Sequence, residues 1–271
     1  MRKLRKAYVA LYLFALYLPI AFIPLFAFHD SVYISFPWRG FTLDWFAKLF
    51  EAEGLIASLE NSLIVAAVTS LWSTATATLA ALATSRMEFP GRRLISLGLL
   101  LPLALPTVVI GVALLSAFSF AGVDLSLATV TLAHCLFCTP FAYGVMLSQF
   151  QGMSPDLEQA AMDLGEPPVR TFFRVTLPLA WPGILSSLLL TFTVSFDEFI
   201  LAFFLSSNSP TLPVYMWSQM RFPDRLPLVL ALATLVILFS VLAVVGSQLL
   251  RRRGRRPAPP RGQADHIQAE G

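Results

Sequence analysis

Long apolar runs alternate with short polar connections along most of this chain. A helix needs about 20 apolar residues to cross about 30 Å of hydrocarbon, where it satisfies its own backbone hydrogen bonds. Six runs meet this length, and they are Ala7–Phe28, Ser62–Ser85, Leu94–Phe118, Leu125–Phe150, Gly183–Leu205 and Leu226–Leu250. The pattern predicts an all-α membrane protein with six transmembrane helices.

Two of these runs contain residues that interrupt a regular helix. The third contains Pro102, Pro106 and Gly111, and the fourth contains His134 and Pro140. Membrane helices tolerate proline when neighbouring groups satisfy the freed carbonyls. We therefore predict kinked helices at these positions.

The composition excludes a water-soluble domain. Hydrophobic residues make up 56% of the chain and charged residues 13%, whereas a soluble domain carries about 25% charged residues. Cys135 and Cys138 both lie in the fourth run, next to His134. A closed metal site needs four ligands, so these side chains are predicted to pack in the interior. The sequence indicates no catalytic, cofactor-binding or metal-binding residues.

Positive charge gives the orientation, because Lys and Arg near short loops stay on the cytoplasmic side. With both termini inside, the inner segments hold fifteen of these residues and the outer segments four. The inner ones are Arg2, Lys3, Arg5, Lys6, Arg86, Arg92, Arg93, Arg170, Arg174, Arg251, Arg252, Arg253, Arg255, Arg256 and Arg261. The outer ones are Arg39, Lys48, Arg221 and Arg225. Both termini are therefore predicted to be cytoplasmic.

Three segments follow from this layout. Residues 1–57 hold the first span and an outer loop, and residues 58–250 form the main membrane domain. Residues 251–271 form a basic, proline-containing tail that is predicted to be disordered, with its arginines against anionic lipid. The first apolar run is too long for a signal peptide and ends without a small-residue cleavage site, so it is predicted to remain as a span.

The cytoplasmic connection between the fourth and fifth spans, residues 151–182, is polar and too long for a turn. Ser154 and Pro155 favour the start of a helix, and Gly165 favours its end. One face of this helix is apolar, formed by Leu157, Ala160, Ala161 and Leu164. A second short helix is predicted from Pro168 to Val175.

The spacing in this segment resembles the loop of ATP-binding-cassette importer permeases. That family has E-A-A, three residues, G, nine residues and then I-x-L-P. Here Glu158 is followed by Ala160 and Ala161, then by Gly165 after three residues, and nine more residues lead to Val-Thr-Leu-Pro ending at Pro178. The chain departs from the pattern at two positions, Gln159 and Val175.

The resemblance extends from about Ser58 to Leu250 and is closest to the permeases of spermidine/putrescine importers. The stretches that carry it begin at Asn61, Leu101, Ser195 and Leu212, and read NSLIV, LPLALP, SFDEF and LPVYMWS. Related permeases for ferric iron, opines or other small solutes share parts of these stretches. A permease for one of those solutes is therefore the alternative.

The resemblance implies a type I permease fold in the bacterial inner membrane. It also implies partners: a second permease subunit, so that a heterodimer is expected, two cytoplasmic ATPase subunits and an extracytoplasmic solute-binding protein. No nucleic-acid partner is expected. The residues implied in ATPase coupling are Leu157, Glu158, Ala160, Ala161, Leu164, Gly165, Leu177 and Pro178. Because the chain has no Gly-x-x-x-x-Gly-Lys-Ser/Thr loop, ATP hydrolysis would belong to a separate subunit, and this chain is not predicted to be an enzyme.

Asp197 and Glu198 place two carboxylates in the fifth apolar run. An unpaired carboxylate in lipid is costly, so such groups usually face a partner, a cavity or a pathway. Adjacent helical positions differ by about 100°, so one is expected to face a translocation pathway for a cation and the other a neighbouring helix. Two alternatives remain open: hydrogen bonding between helices only, or ion coupling in a self-sufficient transporter.

Overall fold

The computed structural model describes residues 2–33, 37–52, 54–238 and 241. Helices form the regular structure of this part, apart from one isolated bridge between His29 and Phe41. In chain order the helices are α1 (Arg2–Ala27), α2 (Asp44–Lys48), α3 (Leu55–Arg86), α4 (Arg92–Ala104), α5 (Thr107–Phe120), α6 (Leu127–Gln151), α7 (Asp156–Asp163), α8 (Pro168–Thr171), α9 (Leu177–Asp197), α10 (Ile200–Leu205), α11 (Leu212–Gln219) and α12 (226–238). The predicted all-α class is confirmed.

Within the described residues, four helical segments are long and apolar enough to cross a membrane. They are Arg5–Ala27, Leu55–Arg86, Leu127–Gln151 and Pro168–Asp197. The pair α4 and α5 supplies a fifth crossing if the two count as one broken span. The predicted sixth span starts where α12 starts, but most of its second half lies outside the described residues.

The third apolar run is not the single kinked helix that the sequence predicts. The two helices α4 and α5 meet at an angle of 103°. Leu105, between them, is extended with φ −103° and ψ 139°. A residue before proline is pushed away from helical geometry, and Pro106 follows directly. The prolines therefore break this span instead of bending it slightly.

Two further boundaries differ from the prediction. α3 begins at Leu55, seven residues before the expected Ser62, directly after Gly54 with φ +80°. The fifth run is also not one helix from Gly183 to Leu205, because α9 ends at Asp197 and α10 begins at Ile200. Hydropathy alone does not detect these changes, since the runs stay apolar across them.

The described chain forms two compact units, one of residues 52–221 and one of the chain up to Glu51 and from Phe222 onward. In the second unit the rings of His29 and Trp38 lie 4.4 Å apart, and the indole N–H of Trp45 donates to the carbonyl of His29 at 3.0 Å. The first unit contains the regions considered below.

α3, α6 and α9 pack together as the core of residues 52–221. One buried cluster joins all three: Ala77, Ala81, Ala142, Tyr143, Met146, Phe150, Ala180 and Ile184. A second joins α3 and α6 to α5 and α10: Val65, Ile110, Val130, Ala133, Leu201, Ala202 and Leu205. The first cluster therefore holds the start of α9, and the second holds α10, the helix that follows it.

Small hydroxyl residues let these three helices approach closely. Thr74 and Ser187 share a hydrogen bond of 3.0 Å between α3 and α9, and Thr84 and the Tyr143 hydroxyl share one of 2.9 Å between α3 and α6. Such residues stabilise helix contacts where apolar lipid gives no hydrophobic driving force.

Candidate functional site

α7 begins through local hydrogen bonding by Ser154. The Ser154 hydroxyl accepts from the backbone N–H of Asp156 at 3.3 Å and donates to its carboxylate at 2.7 Å. Pro155 lies between them as the residue preceding the helix. The helix thus begins one residue later than predicted, with Pro155 and not Ser154 in the N-cap position.

Gly165 ends the helix in the left-handed conformation expected from the sequence. Its φ is +91°, and its N–H donates to the carbonyl of Met162 at 2.9 Å. The next N–H, of Glu166, donates to the carbonyl of Ala161 at 3.1 Å. Only glycine adopts this conformation without steric cost, so the reversal of the chain depends on this residue.

The predicted apolar face of α7 is not covered by the described chain. Leu157 is 54% exposed and Leu164 is 88% exposed. Ala160 is also exposed, whereas Ala161 is half-buried. An apolar helix face with small central residues suits docking into a groove of another protein.

Glu158 has a different environment from that face. Its carboxylate Oε2 accepts from Nε of Arg86 at 3.1 Å, and Nη2 of the same arginine donates to the carbonyl of Met153 at 3.0 Å. The side chains of Glu158 and Arg86 are only 12% and 17% exposed. Sequence reasoning missed Arg86, which counted only as a positive residue at a span end and carried no signal of a partner 72 positions later.

The second short helix is not continuous over its predicted range from Pro168 to Val175. α8 ends at Thr171, and a wide π-helical turn at Phe172–Thr176 leads directly into α9. Pro178 in the first turn of α9 has no N–H for the preceding turn, which accounts for the altered hydrogen bonding. Leu177 packs on the buried cluster of α3, α6 and α9, while Pro178 is exposed.

A second set of ion pairs lies within the loop itself. Glu166 accepts from Nη1 of Arg174 at 2.6 Å and lies 3.6 Å from Nη1 of Arg170. Both arginine side chains are more than half exposed. These pairs join the end of α7 to the following helical turn, whereas Glu158 joins its start to α3.

The two membrane carboxylates lie at the break between α9 and α10. Glu198 is extended, with φ −72° and ψ 112°, so the pair does not follow the helical spacing assumed from sequence. Oε1 of Glu198 accepts from the N–H groups of Ile200 and Leu201 at 2.9 and 3.2 Å. Glu198 therefore satisfies two N–H groups at the start of α10 that lack helical partners.

Asp197 is exposed, and its carboxylate forms no hydrogen bond or ion pair within the described part of the chain. One turn before the break, Nδ1 of the buried His134 lies 2.8 Å from the hydroxyl of Ser195. This contact holds the last turn of α9 against α6. The backbone position of Asp197 is thus fixed, while its carboxylate stays free of bonds to the described chain.

The two cysteines are buried free thiols. The Cys138 thiol lies 3.9 Å from the carbonyl of Thr191, consistent with a place in the α6–α9 contact. Among the described residues, no group of three His, Cys, Asp or Glu side chains is arranged to hold a metal ion.

Comparison with known proteins places these features in context. Residues 73–256 match the model of the family described as binding-protein-dependent transport system inner membrane component. The spermidine/putrescine transport system permease protein PotC of Haemophilus influenzae is 33% identical over 92% of this chain and 97% of its own length. The putrescine transport system permease protein PotI of Escherichia coli K12 is 31% identical over 85% of this chain and 84% of its own.

The fold is also found in a solved structure. A chain of a bacterial ABC transporter involved in import of the acidic polysaccharide alginate matches with a TM-score of 0.72, at 18% identity, over 94% of this chain and 96% of that one. A likeness at this identity concerns the fold alone. The family match covers more than half of the sequence, and the chain belongs to the inner-membrane components of binding-protein-dependent transport systems.

Proposed function

We propose that this chain is a permease subunit of an ATP-driven importer for a small polycation of the spermidine and putrescine class. The observation that carries the proposal is the similarity to polyamine permeases along nearly the whole chain. Two carboxylates at a helix break within the membrane segments fit a cationic solute, because they compensate positive charge where water is scarce.

The subunit crosses the inner membrane six times with both termini in the cytoplasm. The excess of Lys and Arg in the segments assigned to the inside supports this orientation. This orientation puts α7 and Gly165 on the cytoplasmic side and the connection between α10 and α11 on the outside. The broken pair α4 and α5 counts as one crossing in this topology.

α7 is the contact through which a separate ATPase subunit acts on this permease. The exposed apolar face formed by Leu157 on α7 and Leu164 directly after it supports docking in a groove of that subunit. A second permease subunit, two ATPase subunits and an extracytoplasmic solute-binding protein complete the importer. Leu177 and Pro178 are the first residues of α9, where the loop ends.

Asp197 is the residue that faces the solute pathway, and Glu198 serves the fold. Their bonding differs: Glu198 caps α10 with two hydrogen bonds, whereas Asp197 is exposed and has no partner in the described part of the chain. An unpartnered carboxylate is unfavourable against lipid, so a water-containing route is the favoured environment.

Uptake by the reconstituted importer tests this function. We expect inward transport of labelled spermidine or putrescine that requires ATP, the binding protein and all subunits, and that excess unlabelled polyamine abolishes. Transport driven by an ion gradient without ATP would contradict the ATP-driven mechanism. Competition by a ferric, opine or amino-acid solute, with none by polyamines, would contradict the substrate class.

A further inference from the structure

One partly buried ion pair joins α7 to the end of α3. We propose that Arg86 and Glu158 form a clamp that positions α7 and passes its displacement to α3, an inference that rests on the proposed function. In this arrangement Glu158 acts through its bond to Arg86 inside the chain. Both are positioning residues, and Leu157 and Leu164 keep the role of docking contacts.

The carboxylate of Glu158 is turned into the chain and pairs there through one oxygen. Oε2 is held by Arg86 at 3.1 Å, and Oε1 is buried without a hydrogen-bond partner in the described part of the chain. Arg86 makes a second bond, to the carbonyl of Met153, three residues before α7 begins. A single guanidinium therefore holds the chain both before α7 and within its first turn.

Helix dipoles favour the same arrangement. Arg86 is the last residue of α3, where a positive charge compensates the negative end of that helix. Glu158 lies in the first turn of α7, where a negative charge compensates the positive end. Loss of either charge therefore removes the compensation of a helix dipole as well as the ion pair.

α3 is suited to carry a displacement from this clamp across the core. Its 32 residues span about 48 Å at about 1.5 Å per residue, and it packs on α6 and α9. At its opposite end, Asn61 donates to the carbonyl of Pro210 at 3.1 Å, and the hydroxyl of Ser62 accepts from the N–H of Leu212 at 2.8 Å. The same helix is thus bonded to the loop at one end and to the start of α11 at the other.

Charge neutralisation and charge exchange in the assembled importer test the clamp. The variants are Arg86→Gln, Glu158→Gln, the two together, and the exchange Arg86→Glu with Glu158→Arg. We expect each neutral variant to speed hydrogen exchange of the α7 amides about five- to tenfold and to lower polyamine uptake per ATP hydrolysed. Because the two residues act through each other, the double neutral variant should be no worse than either one. The exchange variant should recover most of both properties.

Glu166→Gln is the matched control. It removes an acid from the same loop whose partners, Arg170 and Arg174, lie in that loop and not on α3. Exposed pairs contribute little, so we expect both measurements to stay within about twofold of the unmodified protein.

Three results would overturn the clamp. Arg86→Gln could leave hydrogen exchange and uptake unchanged, the double neutral variant could show the multiplied effects of the two single variants, or Glu166→Gln could lower uptake as much as Glu158→Gln does. If the exchange variant accumulates poorly, the double neutral variant decides. Hydrogen exchange requires no solute, so absence of polyamine uptake in the unmodified importer would refute the proposed function while the clamp is still measured.

Discussion

At the scale of single residues, the two adjacent carboxylates of the fifth apolar run have different environments. Glu198 is bonded to the backbone of α10, and Asp197 is exposed at the end of α9. The hydrogen bond between His134 and Ser195 fixes the turn that precedes them. A role in solute passage is therefore proposed for Asp197 alone.

Replacement of Asp197 by asparagine separates charge from packing, because the volume and hydrogen-bonding capacity are retained. We expect Asp197→Asn to lower uptake of multiply charged polyamines about tenfold, equivalent to about 1.4 kcal/mol, and uptake of singly charged amines less. Transport by reconstituted importers at matched protein amounts measures this. The solute-stimulated ATPase rate should change less than uptake.

The matched variant at the neighbouring position is Glu198→Gln, which keeps an oxygen that can accept the two N–H bonds of α10. We expect it to transport polyamines more nearly like the unmodified protein. Unchanged uptake of every cation by Asp197→Asn would assign that residue a structural role, and a larger defect in Glu198→Gln would reverse the assignment.

At the scale of elements, the geometry of the loop depends on how α7 ends. No atom of the described chain lies within 4 Å of the position that a Cβ on Gly165 would occupy, so the requirement for glycine concerns backbone conformation and not space. Its φ of +91° is poorly tolerated by β-branched residues and is better tolerated by asparagine. This difference allows conformation to be tested without a steric clash.

We expect Gly165→Val to insert normally in the membrane but to lose solute uptake and association with the ATPase subunit together. The left-handed conformation costs about 1–2 kcal/mol in a residue with a Cβ, enough to displace the loop. Co-purification of the ATPase subunit and uptake at equal permease levels measure the effect. Gly165→Asn should retain most of both, and normal uptake by a stably expressed Gly165→Val chain would refute the role of this turn.

At the scale of the whole molecule, orientation rests on the distribution of Lys and Arg between the two sides. Gly165 and Ser209 are both exposed and lie on opposite sides in the proposed topology. The native thiols of Cys135 and Cys138 are buried, so they give little background in a labelling experiment.

Introduced cysteines test the topology directly. In intact cells, an impermeant thiol reagent should label a cysteine at Ser209 and leave cysteines at Gly165 and Gly254 unlabelled. Permeabilised cells are the control, in which all three should react. Labelling of Gly165 from outside would invert the orientation and remove α7 from the reach of a cytoplasmic ATPase.

The sequence by itself determined the features that depend on composition or on a few adjacent residues. The helical class follows from apolar runs long enough for a membrane, because only helices satisfy their backbone groups within one segment there. The start of α7 near Ser154 and its end at Gly165 follow from local hydrogen bonding and backbone sterics, so a short stretch of sequence contains the information. The family pattern can be recognised from sequence for the same reason, because its residues lie in a single loop.

Only the tertiary structure decided the features that join distant parts of the chain. Arg86 and Glu158 are 72 positions apart, and their pairing depends on how α3 and α7 end beside each other. Proline explains why the third run is interrupted at Leu105, but the angle of 103° is set by what α4 and α5 pack against. The bonding of Glu198 likewise depends on a helix break that hydropathy cannot register. Local sequence specifies a helix and its ends, whereas packing between helices determines which polar groups meet.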